Sequence, residues 1–155
     1  MFKITKDFIK NHKFESDGLN FPEEVEEKSF RLRAGMKLPP SADLQSLELR
    51  KKFSALFVTK YGNNYAQLEI KCDINENTMR KYLNGRRNIT RIALAKFCIG
   101  TKLTVEQSAE LFTLQDRSLD TKNNQFDAVV VNALQDGDDI EIFYETCEEI
   151  GLKID

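Results

Sequence analysis

The middle of the chain carries an apolar pattern with the period of an α-helix. From Leu44 to Tyr61, apolar side chains recur at steps of three and four residues, and Gly62 ends the run. Such spacing places these side chains on one face of a helix, whereas a half-buried strand requires strict alternation. Few stretches elsewhere in the chain alternate convincingly. The sequence therefore predicts an all-α protein whose regular part begins with a long amphipathic helix.

Six shorter helical segments follow, several of them preceded by a residue suited to capping a helix. Side chains of Asn and Thr at these positions can accept a hydrogen bond from the first turn. Gln107, three residues after one such Thr, completes a capping box. The predicted caps are Asn64, Asn75, Thr90 and Thr104. The predicted segments are 65–72, 76–83, 91–98, 105–112, 126–134 and 140–150, and Gly100 is expected to end the third.

Two breaks divide the chain. Pro39-Pro40 interrupts regular structure, and a polar run from Asp116 to Asn124 precedes the last two helices. Before the first break, short apolar clusters sit between charge runs, so we expect a loosely organised extension with a short helix starting at Pro22. The predicted organisation is an N-terminal extension at 1–40, a helical bundle at 41–117 and an acidic helical extension with two helices at 118–155.

The net charge of −2 conceals opposite charges in different segments. Residues 71–96 carry seven basic side chains against two acidic ones, a net charge of +5. Residues 123–155 carry one basic side chain against nine acidic ones, a net charge of −8. A whole-chain sum near zero argues against nucleic acid as a partner, but a basic segment of this size favours it. The position of the charge therefore matters more than its sum.

Several function classes find no support in the sequence. No apolar stretch approaches the roughly 20 residues that cross a bilayer, and the N-terminus from Met1 to Asp7 shows no signal-peptide pattern, so a cytoplasmic protein without a membrane partner is expected. Cys72, Cys98 and Cys147 form no C-x-x-C pair, and His12 is the sole histidine, so no metal site is predicted. The thiols of Cys72 and Cys98 are expected in the core. Because no phosphate loop or paired catalytic carboxylates stand out, we expect a non-enzymatic protein without a cofactor.

The segments 65–72 and 76–83 carry most of the functional information. A tight link containing Asp73-Ile74 joins them, as in a helix-turn-helix, and an inner side is predicted to hold Leu68, Ile74, Met79, Tyr82 and Leu83. The outer face of the second helix is predicted to hold Asn75, Glu76, Asn77, Thr78, Arg80 and Lys81. In a major groove, Asn can pair with adenine, Arg or Lys with guanine, and Glu with cytosine. Arg86, Arg87 and Arg91 are expected to contact phosphates instead.

The stretch from Asn75 to Arg87, followed by residues 94–97 and 103–111, resembles the phage-repressor class (Cro/CI, or XRE) of helix-turn-helix domains. The resemblance covers about residues 44–117, and its most specific part is the ending Asn84-Gly85-Arg86-Arg87. It implies a lambda-repressor-like helical bundle whose third helix reads double-stranded DNA, often as a homodimer. The chain departs from the family at Glu69, where Ala is usual, and at Asp73, where Gly is usual.

The resemblance also assigns roles by position. Asn75, Asn77, Arg80 and Lys81 inherit base-reading and nearby backbone contacts, and Asn64 and Gln67 inherit phosphate contacts. Our first hypothesis is therefore a sequence-specific DNA-binding transcriptional regulator. The second is a protein-interaction module on the same fold, such as an antirepressor, antitoxin or phage-encoded inhibitor.

The acidic C-terminal helices leave two alternatives open. Apolar stripes that contain Phe126, Val129, Phe143 and Cys147 must be covered. They either pack back onto the bundle or pair with a second copy to form a homodimer. A partner protein that binds the acidic helices is a further hypothesis.

Overall fold

The computed structural model describes residues 3–18 and 40–154, and the side chains of the second range from residue 47 onward. These residues are all-α, as predicted, and their only pairing of β type is an isolated bridge between Ser16 and Asn124. Within the described ranges, no helix combines the length and the apolar composition needed to cross a bilayer. The helices are α1 (Lys6–Asn11), α2 (Pro40–Tyr61), α3 (Tyr65–Cys72), α4 (Glu76–Leu83), α5 (Arg91–Thr101), α6 (Val105–Gln115), α7 (Gln125–Asp136) and α8 (Ile140–Glu149).

Helix α2 supports the core through one apolar face. Leu49, Phe53 and Phe57, spaced by four residues, are buried, and the Phe53 ring lies 4.3 Å from the Phe97 ring, centroid to centroid. The helix begins at Pro40, earlier than the apolar pattern suggests, because proline lacks only an N–H that the first turn would leave unpaired. The core is thus built on a helix longer than its apolar pattern.

The predicted caps are confirmed at four helix starts. The Asn64 and Asn75 side chains accept from the third residue of α3 and α4, and Thr90 accepts in the same way in α5. At α6, Thr104 and Gln107 form the complete capping box. Each cap satisfies a backbone N–H that the helix cannot pair internally, which fixes where these short helices begin.

Helix α5 lies at the centre of the fold and packs against α3, α6, α7 and α8. The prediction that Gly100 ends this helix is wrong, since α5 continues to Thr101 and Lys102 is the left-handed cap. A Cβ atom on Gly100 would lie 2.3 Å from the carbonyl oxygen of Lys71 and 2.6 Å from the sulfur of Cys72. The glycine therefore allows α3 and α5 to approach closely.

Residues 3–18 dock against α7, an arrangement that the sequence did not predict. Ile4 and Ile9 are buried, and both backbone polar groups of Ile4 form hydrogen bonds with side chains of α7. Its N–H donates to Gln135 Oε1 and its carbonyl accepts from Asn132 Nδ2, each at 2.8 Å. The predicted helix at Pro22 lies outside the described residues.

The C-terminal helices pack back onto the bundle, which is the first of the two alternatives for covering their apolar stripes. Their apolar stripes, including Phe126, Val129, Phe143 and Cys147, are buried in one cluster with the residues of α2 to α6. The predicted core positions of Cys72 and Cys98 are also confirmed, and both thiols are free. Thus the described part of the chain shares one hydrophobic core.

Candidate nucleic-acid interface

Helices α3 and α4, with the residues that cap and follow them, form a compact unit that we call the α3–α4 pair (residues 64–88). Three residues, Asp73, Ile74 and Asn75, connect the two helices. Asp73 adopts the left-handed conformation (φ 56°, ψ 43°) that its position demands, and Asn75 caps α4. Asp and Asn tolerate this conformation better than other residues with a Cβ. The connection is therefore short and fixed.

The predicted inner side of the pair is confirmed. Leu68, Ile74, Met79 and Tyr82 are buried and Leu83 is partly buried. The Tyr82 ring meets Phe53 of α2 edge to face, at 6.5 Å between centroids. Because the side chains on one face of α4 are buried in the core, the opposite face of this helix points away from the core.

That opposite face collects most of the predicted base-reading residues, and we call it the α4 face: Asn75, Glu76, Asn77, Arg80 and Lys81. All five are exposed, whereas Thr78 is half-buried. The α4 face lies on the first two turns of α4 and contains both charge signs, with donors and acceptors close together. Such a mixture suits base edges better than a uniformly basic surface does.

Two of these residues contact each other. Arg80 Nε donates to Glu76 Oε2 at 2.8 Å, and the Arg80 guanidinium lies over the Tyr65 ring at 4.5 Å from its centroid. The hydrogen bond and the carboxylate charge raise the pKa of Arg80. Glu69 is exposed on α3, so it does not separate the packed helices as a buried carboxylate would. Glu76 is thus paired within the α4 face.

The turn after α4 presents Arg86 and Arg87, which are both exposed. Asn84 Oδ1 accepts from the Arg86 backbone N–H at 3.0 Å, and the N–H groups of both arginines donate to the Lys81 carbonyl. These bonds hold the turn against the end of α4. The two guanidiniums therefore extend from a fixed backbone beside the α4 face.

Asn64 and Gln67, the predicted phosphate contacts, lie exposed at the start of α3. The Asn64 and Asn75 side-chain oxygens accept from Gln67 and Thr78 backbone N–H groups, at 3.1 and 2.8 Å. Each carboxamide still has an NH₂ group that can donate to an anion. Both helix starts can therefore support an anion as well as being capped.

The expectation that Arg91 contacts phosphates does not fit its position. Its side chain is buried against Asp127 of α7, and its Nε and Nη2 donate to the carboxylate at 3.1–3.2 Å. Asp127 also accepts from Arg117 Nη1 at 2.6 Å and from the Asp120 N–H at 2.9 Å. Burial lowers the pKa of Arg91, which the Asp127 charge opposes. Arg91 therefore belongs to the core, not to the interface.

Arg50 of α2 is an addition that the sequence did not single out. A Cβ atom on Gly85 (φ 78°) would lie 2.6 Å from Arg50 Nη1, so the guanidinium lies directly against the turn after α4. In the sequence, Arg50 contributes to a net charge of +3 on residues 44–60, but this charge does not show which basic residue lies next to α4. Arg50 joins Arg86 and Arg87 as a third cation at this turn.

The described residues contain no group of three or more His, Cys, Asp or Glu side chains placed to hold a metal ion. Comparison of the chain with protein-family models, curated proteins and solved structures gives no match in any of the three. Functional assignment therefore depends on the chemistry of the α4 face and its surroundings.

Proposed function

We propose that this protein is a sequence-specific regulator of transcription that binds double-stranded DNA through a helix-turn-helix of the phage-repressor class. In this proposal the α3–α4 pair is the helix-turn-helix, and the α4 face enters the major groove. The observation that carries the proposal is the exposed α4 face, followed at once by Arg86 and Arg87 on a hydrogen-bonded turn. The proposal includes a cytoplasmic location and a homodimer on a palindromic site.

Base reading is assigned to the α4 face. Asn77 offers an acceptor and a donor that match adenine N6 and N7, and Lys81 can donate to guanine O6 and N7. Both lie within two turns of the start of α4, which is the part of a recognition helix that meets base edges. The helix can keep one position on the DNA only if its start is rigid, and the Asn75 cap stabilises that start.

Phosphate contacts are assigned to the borders of the α4 face. Arg86, Arg87 and Arg50 supply positive charge at the end of α4. Asn64 and Gln67 supply side-chain and backbone N–H groups at the start of α3. Charged contacts release counterions, so binding weakens as salt rises. The logarithm of the binding constant falls against the logarithm of the salt concentration with a slope of about −0.9 for each phosphate neutralised. The net charge of −2 does not prevent this, because only nearby charges act strongly on DNA.

The proposal is tested by selecting bound fragments from random duplex DNA with the full chain, at low and at moderate salt. We expect one enriched motif. Asn77→Ala and Lys81→Ala should each relax the preference at one position, by about 1–3 kcal/mol. Arg86→Ala with Arg87→Ala should weaken binding to all sequences and reduce the salt slope by about two.

The matched control is Lys153→Ala, which removes one exposed positive charge far along the chain from the α3–α4 pair. It should leave both the motif and the salt slope unchanged. Absence of an enriched motif together with absence of duplex binding at low salt contradicts the proposal. If Lys153→Ala and Lys81→Ala lowered the affinity for DNA equally, the effect of Lys81→Ala would be explained by net charge and not by a base contact.

A second candidate function is favoured by Ile70. This side chain is 71% exposed on α3, next to Glu69 and on the unit proposed to bind DNA. An isoleucine side chain cannot donate to a phosphate, whereas it can bury apolar area against a partner protein. The alternative is a protein-interaction module, and Ile70→Ser separates the two: it leaves duplex binding unchanged under the first proposal and abolishes partner binding under the second.

A further inference from the structure

Three side chains of the α3–α4 pair form a connected group: Tyr65 at the start of α3, Arg80 in the middle of α4 and Glu76 at its start. The Arg80 guanidinium stacks over the Tyr65 ring at 4.5 Å, and its Nε donates to Glu76 Oε2 at 2.8 Å. Arg80 and Glu76 are more than half exposed, with side-chain exposures of 58% and 54%. The group therefore lies at the surface and bridges the two helices.

Tyr65 anchors this group to the core. It is half-buried, and its ring lies 5.0 Å from that of Phe57, which is fully buried in α2. A guanidinium held against an aromatic face loses part of its freedom, and the planar group then presents its remaining N–H donors in fixed directions. Stacked on Tyr65, Arg80 is less free to turn outward than an unsupported surface arginine.

Glu76 is the residue that this arrangement orients. It is the first residue of α4, where the helix dipole stabilises a carboxylate. An ionised carboxylate has about four acceptor sites, so the bond from Arg80 leaves room for further donors. In the major groove, cytosine N4 and adenine N6 both donate, and a carboxylate favours cytosine because adenine also presents the N7 acceptor beside its amino group.

An unpaired carboxylate would be repelled by the phosphates on both sides of the groove. Arg80 offsets this repulsion because its positive charge lies within hydrogen-bond distance of Glu76. The pair as a whole carries no net charge, while the carboxylate keeps its acceptor sites. Thus Glu76 can approach a base without weakening the attraction between DNA and the surrounding arginines.

We propose that Glu76 reads a cytosine by accepting from its N4 amino group, and that Arg80 and Tyr65 are positioning residues that hold the carboxylate for this contact. This inference depends on the DNA-binding function proposed above. It assigns Arg80 to orientation of Glu76, whereas the family resemblance gives Arg80 a base-reading role. Tyr65 acts one step further away, through Arg80.

The inference is tested by selection from random duplex DNA with the wild-type chain and four variants: Glu76→Ala, Arg80→Ala, Tyr65→Leu and Tyr65→Phe. The wild-type motif should contain one C·G pair that Glu76→Ala no longer selects, because the acceptor is removed, a loss of about 5- to 150-fold in preference at that position. Arg80→Ala and Tyr65→Leu should reduce the preference for the same pair by smaller factors. Tyr65→Phe keeps the aromatic ring and should therefore retain most of the preference for this pair.

The readout is the base preference at one position, which a general loss of structure would not change selectively. Thermal unfolding followed by circular dichroism checks that each variant is folded. Lys81→Ala is the matched control on the α4 face, and it should alter a different position of the motif.

Two results overturn the inference while the proposed function stands: a motif in which Glu76→Ala changes no position, or an effect of Arg80→Ala at a guanine that Glu76→Ala leaves untouched. The second result would make Arg80 a base reader in its own right. Failure of the wild type to bind any duplex overturns the proposed function and this inference together, so the two failures are distinguishable.

Discussion

Replacement of Asp127 by Asn should destabilise the fold more than a single charge change at the surface can. Asp127 is fully buried, and its two oxygens accept from Arg91, from Arg117 Nη1 and from the Asp120 N–H. Each of these three hydrogen-bond partners is a donor. Asn would turn one acceptor oxygen into an NH₂ group that faces these donors, and it would remove the charge that balances buried Arg91.

The magnitude follows from the cost of an uncompensated buried charge. Breaking a buried ion pair by removing one partner costs about 3–5 kcal/mol, most of it from the charge left behind. Arg91 is 2% exposed, so water cannot take the place of the lost carboxylate. For a chain of this length, each kcal/mol lowers the melting temperature by about 2–4 °C. We therefore expect a decrease of about 6–20 °C.

The assay is urea unfolding of the full chain with linear extrapolation, alongside a thermal melt. Glu148→Gln is the matched control, since it removes one negative charge from an exposed position of α8 and should change the unfolding free energy by less than about 0.5 kcal/mol. A loss below about 1 kcal/mol for Asp127→Asn would refute the reasoning. It would mean that Arg91 reaches solvent or another acceptor in the native state.

Three further predictions test other parts of the fold. Gly100→Ala should lower the unfolding free energy by about 1–3 kcal/mol in urea, although alanine favours helices, because its Cβ would lie 2.3 Å from the Lys71 carbonyl oxygen; a gain in stability would contradict the close approach. Thr104→Ala should cost about 0.5–2 kcal/mol in the same assay by removing the capping box of α6. Burial raises the pKa of Cys98 from 9.0 to about 12, so the unfolded chain loses this proton first. The contribution of Cys98 to the unfolding free energy should therefore be constant below about pH 9 and fall between about pH 9 and 12, as should that of Cys147, whose pKa burial raises in the same way. Cys98→Ala should make the decrease in this pH range less steep, and an unchanged slope would contradict the burial.

The local features of the α3–α4 pair could be predicted from the sequence because short-range chemistry determines them. Asn64 and Asn75 cap their helices through bonds that span three residues. Asp73 adopts the left-handed backbone because the turn requires it and its side chain tolerates it. Periodicity predicted the buried side of the pair for the same reason, since residues three and four apart share a helix face.

The role of Arg91 could not be predicted because its partner is distant in the chain. Arg91 follows Arg86 and Arg87 closely and stands just after a capping threonine, which is also the pattern of a surface phosphate contact. Its carboxylate partner is 36 residues away, among nine acidic residues that composition cannot distinguish. The docking of residues 3–18 escaped prediction likewise, because it depends on bonds from Ile4 to residues 128 and 131 positions later.

The ion pair between Arg91 and Asp127 also bears on how an acidic chain could approach DNA. Helices α7 and α8 pack on α5, and the buried pair anchors α7 to the first residue of that helix. The Tyr144 hydroxyl donates to Asp73, which ties α8 to the turn of the α3–α4 pair. The carboxylates of these helices are therefore held in fixed positions relative to the α4 face. If the α4 face binds DNA as proposed, Arg86 and Arg87 beside it attract the duplex during approach, over roughly one Debye length of about 10 Å at 0.1 M salt. Association should then slow as salt rises, more steeply for the wild type than for a variant with neutral residues in place of Arg86 and Arg87.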